Sequence, residues 1–252
     1  HTNLDNVDTG VNAILSRKLG LKNPRILDPK PDLLRKLVVF CPVDDAPKVR
    51  EAMFDAGAGH IGEYDSCSYS TTGEGSFRGS EDTNPYVGEK GKLHFEKEIR
   101  VETIYPVYQE KKILDAMIKA HPYEEVAYDI YFLGNVFEKT GAGMIGYLEK
   151  PEDAGTFLER VKKITKTGCV RYSGNIDQKI AKIALCGGAG SFLIGKAKNA
   201  GADVFLTGDV KYHDFFEGDG KMIIADIGHY ESEQFTKELI HSVLIENFST
   251  FA

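Results

Sequence analysis

A histidine and a glutamate one helical turn apart stand near the end of the chain, in the segment GHYESE. The apolar run MIIADI precedes them, so the helix that carries His229 and Glu233 would begin directly after a strand. Residues four apart on a helix have Cβ atoms about 5–6 Å apart, so the pair could hold one metal ion. Imidazole and carboxylate ligands suit zinc, iron or manganese. The carboxyl end of a strand is also where open α/β sheets bind their ligands.

The same two residues have a simpler interpretation. A surface histidine with an acidic residue in the first turn of a helix is common, because the helix dipole favours a carboxylate there. Spacing alone therefore favours a structural role over a metal site. The segment HTNLD repeats the chemistry, since His1 and Asp5 are also four apart ahead of a helix, and alone it is a weak signal.

Two other segments place polar or flexible groups after a strand. LTGDVKYHD puts Asp209 just past a strand and His213 in the next loop, where a functional role and a helix cap are equally compatible with the pattern. CGGAGSF could present backbone N–H groups to an anion. It lacks a Walker motif and a GxGxxG pattern, so a tight turn is favoured. The candidate anion site consists of Gly187, Gly188, Gly190 and Ser191.

The order of predicted elements indicates two blocks. Residues 36–134 read as strand, helix, strand, strand, helix, strand, which is the ferredoxin-like α+β order. Outside this block strands alternate with helices, as in an α/β layer. The sequence therefore predicts an α/β domain, residues 1–35 and 135–252, interrupted by an inserted domain. The proline-rich segment NPRILDPKPD is predicted to be a linker or an irregular crossing.

The last predicted helix, ESEQFTKELIHSVLIENF, carries an apolar stripe. The stripe consists of Phe235, Leu239, Val243 and Leu244, with Ile240 beside it. We expect it to pack on the sheet, because a helix buries its apolar face against a neighbouring element.

Composition limits the function classes. The chain has 252 residues and a formal net charge of −7, which argues against a protein that coats nucleic acid or an anionic membrane. Its apolar runs are too short to span a bilayer. Its four cysteines form no CxxC pair, which favours reduced core thiols and a cytoplasmic location. Since the chain begins without a methionine, we expect a fragment whose upstream residues are absent.

Taken together, the chain resembles the NGG-interacting-factor-three family, whose members are often named GTP cyclohydrolase I type 2 homologues. The resemblance covers essentially the whole chain. It rests on the ordered segments HTNLD, GHIGEYDSCSYSTTGEGSFRG, HPYEEVAYDIY, CGGAGSF, TGDVKYHD and GHYESE. Longer bacterial members carry an insert that resembles the PII signalling and CutA proteins, in agreement with the ferredoxin-like order. The resemblance also implies a toroidal homohexamer.

A site for two divalent metal ions is a further implication of the resemblance. Carried over to this sequence, the metal ligands are Asp5, His229 and Glu233. An adjacent His-His pair that belongs to the family's site has no match, because it would stand upstream of the first residue. His1 then lies in the pocket as a group that supports the ligands or transfers protons.

Two functions are compatible with these residues. The first is a metal-dependent hydrolase of the GTP cyclohydrolase type, in which a metal-activated water opens a purine ring or attacks a related substrate such as a nucleotide. His1 or His213 would transfer protons, and the glycine turn could hold a phosphate. The second is a non-enzymatic metal-binding regulatory or scaffold protein, whose insert senses a small ligand or binds a partner. A ring that binds DNA is disfavoured by the acidic charge.

Overall fold

The computed structural model describes residues 2–248 and divides into two compact units. The first unit combines the residues up to 30 with those from 138 onward, and the second unit comprises residues 31–137. The second unit thus interrupts the first in sequence, and the predicted insert, residues 36–134, lies inside it. The expectation of an α/β protein is confirmed as a mixed α/β fold with two sheets.

Helices and strands follow each other along both units. The helices are α1 (Thr2–Asp5), α2 (Val11–Lys18), α3 (Ala46–Asp55), α4 (Glu110–Ala120), α5 (Ala154–Thr165), α6 (Ile194–Asn199), α7 (His229–Glu233) and α8 (Thr236–Asn247). The strands are β1 (Lys22–Pro29), β2 (Leu34–Pro42), β3 (Ser68–Phe77), β4 (His94–Pro106), β5 (Tyr128–Leu133), β6 (Gly141–Asp153), β7 (Arg171–Ser173), β8 (Lys179–Ala189), β9 (Val204–Gly208) and β10 (Ile223–Asp226). No helix in residues 2–248 is long and apolar enough to cross a membrane.

The first unit is built on a six-stranded mixed sheet. Its strand order is β1–β6–β8–β9–β10–β7. Strands β8, β9 and β10 are parallel neighbours, whereas β1, β6 and β7 join antiparallel to their partners. The carboxyl ends of the three parallel strands therefore meet at one edge of the sheet, where loops can bring side chains together.

Apolar side chains cover both faces of this sheet. Leu206 of β9 packs in one cluster with Leu15 of α2 and Phe157 of α5, while Phe205 packs in another with Ile194 of α6. All five residues of β9 are buried. A strand covered on both faces reads as a continuous apolar run, which explains the composition of VFLTG.

The second unit packs α3 and α4 against one face of a four-stranded antiparallel sheet. The strand order is β3–β4–β2–β5. Leu37 and Val39 of β2 face the helices and meet Met53 of α3 and Met117 of α4. Successive side chains of a strand point to opposite faces, so Phe40 lies on the face away from the helices.

Two predictions need correction. NPRILDPKPD is not a linker in its first half, because β1 runs through Lys22–Pro29. This strand pairs with β6 at the edge of the sheet, and its register shifts around Pro24. Proline is tolerated on an edge strand, where its missing N–H breaks no ladder bond.

The stripe on α8 packs only in part. Phe235 is buried and Leu239 packs against the core of the first unit. Val243 and Leu244 are 48% and 50% exposed, so the prediction that the whole stripe packs on the sheet is wrong for these two residues. Only the start of the helix reaches the core.

Candidate functional site

A small cavity lies beyond the carboxyl ends of the parallel strands of the first unit, and we refer to it as the strand-end cavity. It encloses about 300 Å³. Its lining includes Asp5 from α1, Gly187 from β8, and His229 and Glu233 from α7. The structure thus brings the three predicted metal ligands to one cavity.

The ring of His229 is held between two carboxylates. Its Nδ1 lies 2.7 Å from Oδ2 of Asp209, and its Nε2 lies 3.5 Å from Oε2 of Glu233. When Nδ1–H donates to Asp209, the lone pair of Nε2 is directed toward Glu233. Metal-binding histidines are commonly oriented in this way, by a carboxylate on the nitrogen that does not bind the metal.

Negative charge converges on His229. The hydrogen bond to Asp209 raises the pKa of His229, and the charges of Glu233, Asp209 and Asp5 act in the same direction. Carboxylates favour a positive charge close to them, and the imidazole can carry it as a proton. A divalent cation would satisfy the same electrostatic demand.

Two glycines leave room for the groups that form the site, one for the backbone of His229 and one for the side chain of Glu233. A Cβ on Gly208 would lie 2.8 Å from the backbone N of His229, which is closer than such atoms can approach. A Cβ on Gly188 would collide with Oε1 of Glu233. Asp209 itself has a φ of 55°, in the left-handed region that is rare for residues other than glycine. Such conformations concentrate at functional sites.

Asp226 braces the two loops that carry Asp209 and His229. Its side chain is buried at the end of β10 and forms an ion pair with Arg171. Its Oδ2 accepts a 3.0 Å hydrogen bond from the backbone N–H of Val210, and its Oδ1 accepts a 2.9 Å bond from that of Gly228. One carboxylate therefore positions the residue after Asp209 and the residue before His229.

Three polar side chains hold the glycine turn of β8. Gly187 N–H donates to Asn12 Oδ1 at 2.7 Å, Gly188 N–H to Ser232 Oγ at 2.8 Å, and Gly190 N–H to Thr207 Oγ1 at 2.9 Å. Asn12 also donates to the carbonyl of Asp5, and Ser232 to the carbonyl of His229. The turn is thereby tied to the segments that carry the predicted metal ligands.

This network argues against the predicted anion site. The N–H groups of Gly187, Gly188 and Gly190 have partners within the protein, so they are not directed at a ligand. Ser191 begins a 3₁₀ turn, Ser191–Leu193, which leads into the six-residue helix α6. The turn functions as a support for the strand-end cavity.

The other sequence candidates are separate from this cavity. His1 lies outside the described residues. His213 is exposed before the 3₁₀ segment Asp214–Gly218, stacks edge-on with Tyr212, and does not line the cavity. Cys186 does line it, but burial raises the pKa of its thiol to about 12. Without a metal ion beside it, that thiol stays protonated at neutral pH, which makes it a poor nucleophile.

The metal site is incomplete within the described chain. Among residues 2–248, no group of three or more His, Cys, Asp or Glu side chains is arranged to hold a metal ion. The pair His229 and Glu233 supplies two donors, one nitrogen and one carboxylate, and Asp5 lines the same cavity. This donor set fits a divalent cation chemically and needs further ligands to enclose one.

Comparison with known proteins identifies the family. A family model described as Duf34/NIF3 (NGG1p interacting factor 3) matches residues 1–252. A protein of Halalkalibacterium halodurans named "GTP cyclohydrolase 1 type 2 homolog" is 45% identical over 214 residues, which cover 84% of this chain and 58% of that protein. A Bacillus subtilis protein of the same name is 42% identical over 242 residues, which cover 94% and 64%. The chain thus spans less than two thirds of the length of these relatives.

Solved structures agree with this family. The crystal structure of a Bacillus cereus protein related to NIF3 matches with a TM-score of 0.82 and 40% identity, covering 98% of this chain and 67% of that one. A Staphylococcus aureus protein matches with a TM-score of 0.70 and 28% identity, covering 99% and 65%. The chain belongs to the Duf34/NIF3 family, and the resemblance stated from its sequence is confirmed.

Proposed function

We propose that the first unit carries the dinuclear metal site of a hydrolase-like protein related to GTP cyclohydrolase 1 type 2 homologues. The observation that carries this proposal is the ring of His229, which Asp209 orients so that its free nitrogen is directed toward Glu233. Two divalent ions, such as zinc, iron or manganese, would occupy the strand-end cavity. Asp5, His229 and Glu233 would supply this chain's ligands, and the family resemblance implies that a pair of histidines supplies others.

When bound, such ions would lower the pKa of a coordinated water and polarise the bond under attack. The residues of the chain have separate tasks. Asp209 keeps the proton on Nδ1 of His229, so that Nε2 remains a donor to the metal. Asn12 and Ser232 hold the turn that forms one wall of the cavity.

The substrate class comes from the names of the relatives. We infer a small substrate with a purine ring, such as a nucleotide, whose ring opening would begin with attack of an activated water. The alternative is a regulatory or scaffold protein in which the metal has a structural role. This alternative draws on the second unit, which we infer to be an inserted ferredoxin-like domain of the PII/CutA kind because of its strand order.

Assembly and location belong to the same proposal. The half-exposed apolar residues at the end of α8 are a surface that a neighbouring subunit could cover, which supports the homohexamer implied by the family. The four cysteines are free, and free thiols favour a reducing compartment such as the cytoplasm. We propose no membrane and no nucleic-acid partner.

Metal affinity tests the site without reference to activity. Zinc binding to the purified protein that includes the implied histidine pair would be measured by competition with a chelating dye, together with elemental analysis. We expect Glu233→Gln to weaken binding at least about tenfold, and Asp209→Asn to weaken it about 10–100-fold through the orientation of His229. Glu231→Gln is the matched control, because Glu231 lies on the same helix but outside the cavity lining.

Equal zinc affinity in Glu233→Gln and Glu231→Gln would overturn the ligand assignment. Turnover separates the two functions. The metal-loaded protein should consume GTP with loss of the purine absorbance if it is a hydrolase. Retained metal with no turnover of GTP or related nucleotides would favour the regulatory alternative.

A further inference from the structure

The second unit contains a larger cavity of its own, which we refer to as the sheet-face cavity. It encloses about 590 Å³, within the usual range of small-molecule sites of about 300–1,000 Å³. It is lined by β2, β3 and β4, by the loop that follows β3, and by residues 123–127. Phe40, on the sheet face opposite α3 and α4, is part of this lining.

The walls of the sheet-face cavity are fixed by the protein itself. The N–H of Gly91 donates to the carbonyl of Gly79 at 2.8 Å and closes the base of the loop. The N–H of Asn84 donates to Oε1 of Glu124 at 2.8 Å and ties the loop to the segment that follows α4. The rings of Tyr86 and Tyr123 lie 6.1 Å apart across this junction. The cavity is therefore formed before any ligand arrives.

An acidic group lies in the lining. Glu98 of β4 is only 9% exposed, and it forms no ion pair within residues 2–248. It fits there because Glu98 pairs with Gly73 of β3 and its side chain extends over Gly75, where a Cβ would collide with Oε2 of Glu98. A buried carboxylate without a cationic partner is costly, so a ligand that donates hydrogen bonds to it would be favoured.

Two further polar atoms of the lining have no hydrogen bond of normal geometry among the described residues. Nε of Arg100 is buried and has no hydrogen-bond acceptor among the described residues, although Nη2 of the same side chain pairs with Glu102 at 2.9 Å. The hydroxyl of Tyr123 is buried and has no partner of normal geometry in the same part of the chain, although it lies close enough to Glu98 for burial, together with that carboxylate, to raise the pKa of Tyr123. Buried polar groups in native proteins are nearly always satisfied, so unpartnered ones in a cavity indicate a missing ligand.

The lining also limits the charge of that ligand. The acidic residues are Glu74, Glu98, Glu124 and Glu125, and the basic ones are Arg78 and Arg100. This excess of negative charge disfavours phosphates and carboxylates. Aromatic rings of Phe40, Phe77 and Tyr123 favour a flat, polarisable ring that can stack or pack edge-on.

We propose that the sheet-face cavity binds a neutral guanine-type heterocycle, meaning a planar ring that carries an N–H beside an exocyclic amino group. These two donors match the two oxygens of Glu98 in a bidentate pair. The carbonyl oxygen or ring nitrogen of the same base accepts from Nε–H of Arg100. The hydroxyl of Tyr123 supplies the third polar contact to the base. This proposal is independent of the metal site in the first unit.

Three nucleosides test the donor edge. Calorimetric titration of the intact chain would use guanosine, inosine, which lacks the amino group, and 1-methylguanosine, whose ring N–H is blocked. We expect guanosine to bind saturably and the other two to bind at least about tenfold more weakly, because each leaves an oxygen of Glu98 unpaired. Guanosine monophosphate should bind no more tightly than guanosine.

Variants locate the site. Glu98→Gln should weaken guanosine binding at least about tenfold, because an amide NH2 donor replaces one of the two carboxylate oxygens that accept from the base. Gly73→Val should abolish binding by filling the cavity, since a Cβ at Gly73 has nothing within 4 Å. Glu96→Gln is the matched control on the same strand, outside the lining, and should bind within about twofold of the parent. Thermal unfolding of each variant separates lost binding from lost folding.

Several outcomes would overturn the proposal. They are the absence of saturable guanosine binding up to millimolar concentration, equal affinity for guanosine and inosine, and unchanged affinity in a folded Glu98→Gln variant. The oligomeric state of the same proteins, measured by analytical sedimentation, provides one further outcome that would overturn the proposal. If Gly73→Val dissociates an oligomer of the parent instead of blocking guanosine, the cavity is a subunit contact and not a ligand site.

Discussion

The strand-end cavity and the sheet-face cavity are built in opposite ways. In the first, backbone groups at the ends of three strands are tied to buried side chains such as Asp226, Asn12 and Thr207. In the second, the sheet supplies a wall, and Nε of Arg100 and the hydroxyl of Tyr123 have no hydrogen bond of normal geometry among the described residues. Hydrogen bonds within the protein fix the positions of the functional side chains in the first cavity. In the second cavity, a bound ligand would supply the hydrogen bonds that the protein does not.

The largest expected effect concerns Asp226. Replacing it with alanine leaves the N–H groups of Val210 and Gly228 without their acceptor, and each buried group costs about 1–3 kcal/mol. We expect Asp226→Ala to lower the free energy of unfolding of the first unit by about 3 kcal/mol or more, measured by denaturant unfolding. Asp153→Ala is the control, because Asp153 is exposed and its ion pair with Lys179 lies at the surface. A similar loss in both variants would contradict the bracing role.

Around the strand-end cavity, the sequence identified the helices and strands better than the side chains that hold their ends in place. The period of the apolar residues and the glycine before His229 predicted a helix after a strand, and this is local information. The role of Asp226 depends on the N–H groups of Val210 and Gly228, which reach it only when β9 and β10 lie side by side. An acidic residue ending an apolar strand was the one available signal.

Asn12 and β1 illustrate the same limit. Asn12 is buried among mainly apolar residues of α2, a pattern that indicates a hydrogen-bond partner but does not identify it as Gly187. The prolines of β1 indicated irregular structure, because the tolerance of an edge strand for proline depends on where the neighbouring strand lies. Contacts between residues distant in sequence were therefore the part that the sequence alone could not supply.

A second prediction removes one buried hydroxyl that supports the glycine turn beside the strand-end cavity. Oγ1 of Thr207 accepts from Gly190 N–H and donates to the carbonyl of Gly188. We expect Thr207→Val to cost about 2 kcal/mol, because the shape is kept while both backbone groups lose their partner. Thr165→Val is the control, since the hydroxyl of Thr165 only bonds back to the carbonyl four residues earlier in its helix. Equal unfolding free energies for the two variants would show that the turn does not depend on Thr207.

The third prediction uses one histidine from each unit. The hydrogen bond to Asp209 raises the pKa of His229, whereas burial lowers the pKa of His121. His121 is neutral when folded, because Nδ1 accepts from the N–H of Tyr123 and Nε2–H donates to the carbonyl of Phe40. The two side chains therefore make stability depend on pH with opposite sign.

For His229 the stabilisation is complete below the unfolded pKa of about 6.5 and is lost as pH rises through the higher folded value. For His121 the stabilisation is complete above about 6.5 and is lost as pH falls toward the lower folded value. Amide hydrogen exchange, measured between pH 8 and pH 6 with a chelator present, gives the pH dependence of the stability of each unit. His229→Gln and His121→Gln should each flatten the response of their own unit, and a parallel response of both units in the parent protein would refute the assignment.

The smallest expected effect completes the comparison of the two cavities. Tyr123→Phe also removes one buried hydroxyl, but this hydroxyl has no partner of normal geometry among residues 2–248, and the ring contacts with Phe77 and Tyr86 remain. We expect the free energy of unfolding to change by less than about 0.5 kcal/mol, or to increase, because no hydrogen bond of normal geometry is lost. The same deletion at Thr207 is expected to cost several times more, so the two variants compare a satisfied hydroxyl with an unsatisfied one. Denaturant unfolding of both proteins in one buffer is the measurement, and a loss above about 1 kcal/mol for Tyr123→Phe would mean that its hydroxyl donates to Glu98 in the free protein.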